Sequence, residues 1–119
     1  MRRLSSGLLA TGLVVGVALA VFAQQVADLD FDTKVGNPAY TTRHPIVLID
    51  EAHNNFHTAS GRYKPFADLI SSDGYKVTPN KQKFSRETLK GSDVLVISNA
   101  LGAPAMSSPE AGNPAFTDE

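Results

Sequence analysis

Two short stretches of this chain are apolar at every position, Ile46-Val47-Leu48-Ile49 and Val94-Leu95-Val96-Ile97. A continuous aliphatic run without alternation suits a strand buried on both faces, as at the centre of a parallel sheet. Between them the periodicity changes. Tyr63, Phe66, Ala67, Leu69 and Ile70 recur at spacings of three and four, which predicts a helix over residues 62–73 with one apolar face. Pro65 falls in its first turn, where a missing N–H has no helical acceptor, and Gly74 is a natural stop. Residues 75–78 alternate and end at Pro79-Asn80, predicting a short second strand. Ser85 reads as the N-cap of a short helix over 86–90, with Thr88 at the reciprocal capping position and Gly91 closing it. The third strand is expected over 93–98.

Strand, helix, strand, helix, strand implies right-handed crossovers and a parallel sheet covered on both faces. The two most apolar strands belong side by side at its centre, so the expected order is 2-1-3. Residues 99–114 read as loop, punctuated by Gly102, Pro104, Pro109, Gly112 and Pro114. Phe116-Thr117-Asp118-Glu119 then looks like a helix start, with Thr117 as cap and acids in the first turn. The expected fold class is α/β: residues 45–119 form the N-terminal half of a doubly wound parallel sheet, truncated at its C-terminus.

The N-terminal part changes the picture by adding an address. Arg2 and Arg3 precede an uncharged stretch over 4–23, and small residues stand at Ala18, Ala20 and Ala23. This predicts a signal peptide over 1–23, cleaved after Ala23 or Ala20, and export to the periplasm or beyond. The alternative is a membrane anchor over 4–23, since about 20 apolar residues can span a bilayer. Arg2-Arg3 alone is a weak twin-arginine signal. The absence of cysteine excludes a lipoprotein anchor and disulfides. Removing Arg2 and Arg3 takes the 11 basic residues to 9 against 12 acidic ones, so the processed chain would carry −3. Such a balance, with no basic stripe, excludes nucleic acid as a partner. Residues 24–44 read as a polar lead-in or solvated linker. Asp28, Asp30 and Asp32 alternate there as in a calcium loop, without the glycine and closing glutamate such a loop needs.

Candidate chemistry concentrates just past the first strand. Asp50, Glu51, His53, Asn54, Asn55 and His57 follow one another within nine residues. Open α/β sheets place ligands beyond the C-terminal ends of their strands. Asp50, Glu51, His53, Asn54 and His57 are therefore the expected crevice residues, joined by Asn99 after the third strand. On a helix, His53 and His57 would share a face at the spacing zinc proteases use, with Asp50 completing a metal set and a hydrolase as the consequence. The segment instead follows a strand directly, and Asn54 stands where the general base would be. Residues 58–63 lead into a helix N-terminus and Arg62 could meet an anion there, yet one glycine makes no phosphate loop. Ser98 lacks the Gly-x-Ser-x-Gly context of a nucleophile elbow, and His53 is its only reachable base. No cofactor is implied. The partner expected is a small polar or carbohydrate ligand, with membrane contact only if residues 4–23 are retained.

Taken together, several motifs carry a resemblance. They are Asp50-Glu51-Ala52-His53-Asn54-Asn55-Phe56-His57-Thr58, Gly61-Arg62-Tyr63-Lys64-Pro65-Phe66-Ala67, Asp73-Gly74-Tyr75, Asp93-Val94-Leu95-Val96-Ile97-Ser98-Asn99-Ala100 and Ala115-Phe116-Thr117-Asp118-Glu119. In combination they resemble an uncharacterised bacterial family whose fold is similar to that of class I glutamine amidotransferases, of flavodoxin type. The resemblance implies that the domain continues past Glu119 into a helix and further strands. It implies no glutaminase activity, because those enzymes use a cysteine nucleophile and this chain has none. Non-catalytic members of that fold bind carbohydrate or serve as accessory modules of envelope and transport systems. The resemblance therefore implies an exported ligand-binding or accessory module rather than an enzyme.

Overall fold

The computed structural model describes residues 25–116, and the expected signal peptide and the helix start at 117–119 lie outside them. Within that span three parallel strands form one sheet in the order β2-β1-β3, with β1 at Ile46–Asp50, β2 at Lys76–Asn80 and β3 at Val94–Val96. A single α-helix, α1 at Lys64–Ser72, connects β1 to β2. The architecture is α/β, and the strand order is the one the apolar pattern implies. β1 is central because its aliphatic side chains have a neighbouring strand on either side. Val47, Leu48 and Ile49 are all buried, and Ile49 completely so. Burying such a side chain contributes about 1.5–3 kcal/mol.

Boundaries differ from those expected, each for a local reason. β2 does not end before Pro79 but runs through it to Asn80. The ladder bonds at its ends run from Lys76 N to Pro45 O and from Glu51 N to Asn80 O. Residues 76, 78 and 80 therefore face β1, and Pro79 sits at an outward position of an edge strand where no N–H is needed. β3 is shorter than expected and ends at Val96; beyond it the Ser98 amide donates to the Asn55 side chain at 2.9 Å. The expected helix over 86–90 is only one turn. Its reciprocal cap is in place, with Thr88 N to Ser85 Oγ at 3.1 Å and Ser85 N to Thr88 Oγ1 at 2.8 Å. Gly91, at φ 82°, ends the segment before a helix can propagate. Inside the expected loop 99–114 a 3-10 helix occupies Pro109–Gly112.

α1 begins at Lys64, after a turn in which the amides of Gly61 and Tyr63 donate to Thr58 O. It ends where Tyr75 N returns to Ile70 O across Gly74, whose φ is +97°. The lead-in is tied to this end of the helix. Val35 N donates to Ser72 Oγ, Ala39 N to Asp73 Oδ1 and Tyr40 N to Asp73 O, and His44 Nδ1 pairs with Gly74 O. Tyr40 and Tyr75 meet edge to face at 4.7 Å. Residues 35–44 are thus part of the packed fold. On the far side of the sheet Val94 and Ile97 of the β3 edge stay exposed, and a cleft of about 300 Å³ separates Phe66 and Ile70 from Val94 and Val96.

Candidate functional site

β1 and β3 run parallel, so the loops that follow them emerge at the same edge of the sheet. Asp50 is the last residue of β1 and is completely buried. A carboxylate out of water must be fully hydrogen-bonded or it costs several kcal/mol, roughly. Here the loop supplies the donors. Ala52 N donates to Oδ1 at 3.1 Å, His53 Nδ1 lies 3.0 and 2.9 Å from the two oxygens, and Asn55 Nδ2 donates to Oδ2. The loop thus folds back around the carboxylate that precedes it.

The same loop is stitched to the one after β3. Asn55 spends its amide nitrogen on Asp50 and its oxygen on the Ser98 amide. Leu101 N donates to His53 O at 3.0 Å, and Asn54 Nδ2 donates to Leu101 O at 3.1 Å. Asn54 and Asn99 have φ of 52° and 53°, the left-handed conformation that asparagine tolerates better than other side chains. Each marks the point where its loop reverses. Among the described residues no buried side-chain nitrogen or oxygen lacks a partner.

The two histidines use Nδ1 in opposite senses. His53 donates from Nδ1 to the Asp50 carboxylate. Its ring packs against Phe84 at 4.5 Å and Phe116 at 4.8 Å. His57, 6% exposed, accepts at Nδ1 from Asn99 Nδ2 at 3.2 Å, so Nε2 carries the proton and donates to Gln25 Oε1 at 2.9 Å. Its ring lies 4.8 Å from Tyr63 and 5.6 Å from Phe56.

Of the six residues expected at the crevice, the structure brings together Asp50, His53 and Asn54 in one network and His57 and Asn99 in another. Glu51 serves the fold, since its Oε1 accepts from Ala59 N at 2.9 Å and closes the loop. The metal set of Asp50, His53 and His57 does not assemble. The segment is loop rather than helix, both ring nitrogens of His57 face amides, and among the described residues no three His, Cys, Asp or Glu are grouped to hold an ion. Ser98 pairs not with His53 but with the Tyr63 phenol, 2.9 Å away. Arg62, the candidate anion contact, lies over the Phe56 ring at 3.5 Å.

Tyr63, Phe84, Phe116 and Gln25 shape this edge although the sequence does not mark them as contacts. Asn55, whose amide the polar cluster offers either to a ligand or to a turn, holds the loops together. In the sequence Tyr63 belongs to the apolar face of the expected helix. Gln25 carries no sequence signal at all, because its partner lies 32 residues away. In comparisons with known proteins, no family model matches this chain, and no curated protein or solved structure is detectably similar to it.

Proposed function

We propose that this chain is an exported, non-catalytic ligand-binding or accessory module, and that its fold is the first half of an amidotransferase-like, doubly wound sheet. The ligand is a small, neutral, polar molecule such as a carbohydrate, received at the sheet edge where the loops after β1 and β3 meet. One observation carries the reading: the buried Asp50 is fully engaged by its own loop, and that loop is bonded to the next one by three independent contacts. Groups consumed in this way hold a surface rigid. Rigidity of that kind favours binding, because little ordering entropy is lost when a ligand docks. The exposed Asn99, the rim of His53 and the half-buried Asn54 would supply the polar contacts.

The test is a titration of the full chain with neutral mono- and disaccharides, followed by amide chemical shifts. Saturable shifts confined to residues 51–57 and 98–102 are expected. Their absence at millimolar sugar, or shifts only at α1 and the lead-in, would sink the reading. Export is tested separately by N-terminal sequencing of the protein from the producing cell, with a chain starting at Val21 or Gln24 expected.

A further inference from the structure

We propose that the His57 ring and the aromatic side chains beside it form a subsite for an acylamino group, and that the chain's own Gln25 occupies it in cis. The inference rests on the reading of this sheet edge as a ligand site and names one group of its ligand. His57 Nε2–H is a single donor on a buried ring, directed at the carbonyl oxygen of the Gln25 side-chain amide. Asn99 fixes that donor by occupying the other ring nitrogen. Tyr63 and Phe56 place aromatic surface beside it. One N–H donor next to aromatic rings matches the carbonyl of a secondary amide with an apolar methyl or chain attached.

The way Gln25 arrives there favours an occupant that can leave. Residues 35–44 are fastened to the end of α1 by four hydrogen bonds. Residues 26–33 between that anchor and Gln25 are poorly packed: Val26 is 82% exposed, Leu29 71% and Phe31 52%. Beneath them are open spaces of about 210 and 360 Å³ against Lys64, Pro65, Asp68, Phe66 and Leu69. The hydrogen bonds of this stretch are local, from Phe31 N to Asp28 O and from Asp30 N to Asp28 Oδ1. Thus the lead-in is a strap with a firm end at Val35 and a hydrogen bond from His57 to Gln25 at its other end. A tethered group of this kind competes with a free ligand through its effective concentration.

Substituting Gln25 with Gly in the full chain, with Gln25→Ala as a second variant, removes the competitor from a segment that contributes little packing. Three probes are titrated and read from the His57 ring nitrogens by long-range proton–nitrogen spectra: N-acetylglucosamine, N-acetylglycine methylamide and glucose. Either acylamino probe should bind the variants about tenfold more tightly than the unchanged chain, the ratio imposed by an effective concentration roughly ten times the intrinsic Kd. Glucose should bind both forms alike. Preference for the first probe assigns an amino sugar, and preference for the second assigns a peptide. The proposal is overturned if neither acylamino probe binds the variants, if both bind all forms equally, or if the His57 ring spectrum is the same with and without Gln25. Glucose binding that persists in those cases leaves the wider crevice reading standing.

Discussion

Asn55→Ala should be the most damaging single substitution at the sheet edge. The side chain is 8% exposed and makes two bonds of different kinds. Its nitrogen donates to the buried Asp50 carboxylate, and its oxygen accepts the Ser98 amide. A hydrogen bond to a charged group contributes about 1.5–3 kcal/mol and a neutral one about 0.5–1.5 kcal/mol. Truncation also leaves Ser98 N–H without its acceptor in a half-buried loop, where water replaces it only in part. The expected loss is about 3 kcal/mol, a large share of the 5–15 kcal/mol, roughly, that stabilises a domain. Urea unfolding followed by circular dichroism measures it as a shift in midpoint at constant slope. Asp50→Ala and the double variant complete a cycle, in which the coupling between the two residues should be about 1.5 kcal/mol or more. A loss under about 1 kcal/mol for Asn55→Ala, within the range of an ordinary surface substitution, would refute the claim that this side chain joins the two loops.

Other expectations follow from single positions. Gly74→Ala should cost more than about 2 kcal/mol in the same unfolding experiment, because φ is +97° and an added Cβ would lie 1.9 Å from Tyr40 O. Asn99→Gly should cost about 0.5–1.5 kcal/mol for the lost bond to His57, and Asn99→Ala about 1 kcal/mol more for the left-handed backbone, as read from thermal melts. The Tyr75 phenol is held above its ordinary value of 10.0, first by its side-chain hydrogen bond with Tyr40 and then by burial and the charges of Tyr40 and Asp73. Since the neutral form is favoured in the fold, that stability is complete below about pH 10 and is lost as pH rises through the higher folded value. Tyr40→Phe should remove part of this alkaline dependence, as followed by tyrosinate absorbance. Conversely, the Ser108 hydroxyl holds the Glu110 carboxyl below its usual range, so its contribution should be present above pH 4.5 and fade as pH falls through the folded value.

β1 was legible because burial on both faces leaves an uninterrupted apolar run, Ile46 to Ile49. The same pattern over Val94, Leu95 and Val96 misleads, because β3 is an edge strand in which none of the three is buried. Strand order followed from the same reasoning. What escaped was set by contacts between distant residues. Pro79 reads as a terminator, yet an edge strand has an outward side on which proline costs nothing. Past the end of β3, the Ser98 amide goes to the Asn55 oxygen, 43 residues away. Composition reads residues 24–44 as a linker, whereas Val35, Ala39, Tyr40 and His44 are bonded to the end of α1. The polar network past β1 was visible in the crowding of Asp50, His53, Asn54 and His57. Its roles were not, because the i, i+4 spacing of the histidines has meaning only on a helix, and this segment is loop.

The two histidines of the sheet edge use Nδ1 in opposite senses. His53 commits its Nδ1 proton to Asp50. His57 presents an N–H at Nε2, with its lone pair committed to Asn99. A hydrolytic dyad of the serine type would need the His53 lone pair beside a hydroxyl, but the Ser98 hydroxyl is spent on Tyr63. A tetrahedral metal site would need lone pairs from both rings on a common centre, and both ring nitrogens of His57 face side-chain amides. Asp50 and Asn99 fix these states through their own hydrogen bonds, and each belongs to a loop anchored at the end of a strand. The hydrogen bonding of the two rings is therefore a direct consequence of where β1 and β3 stop.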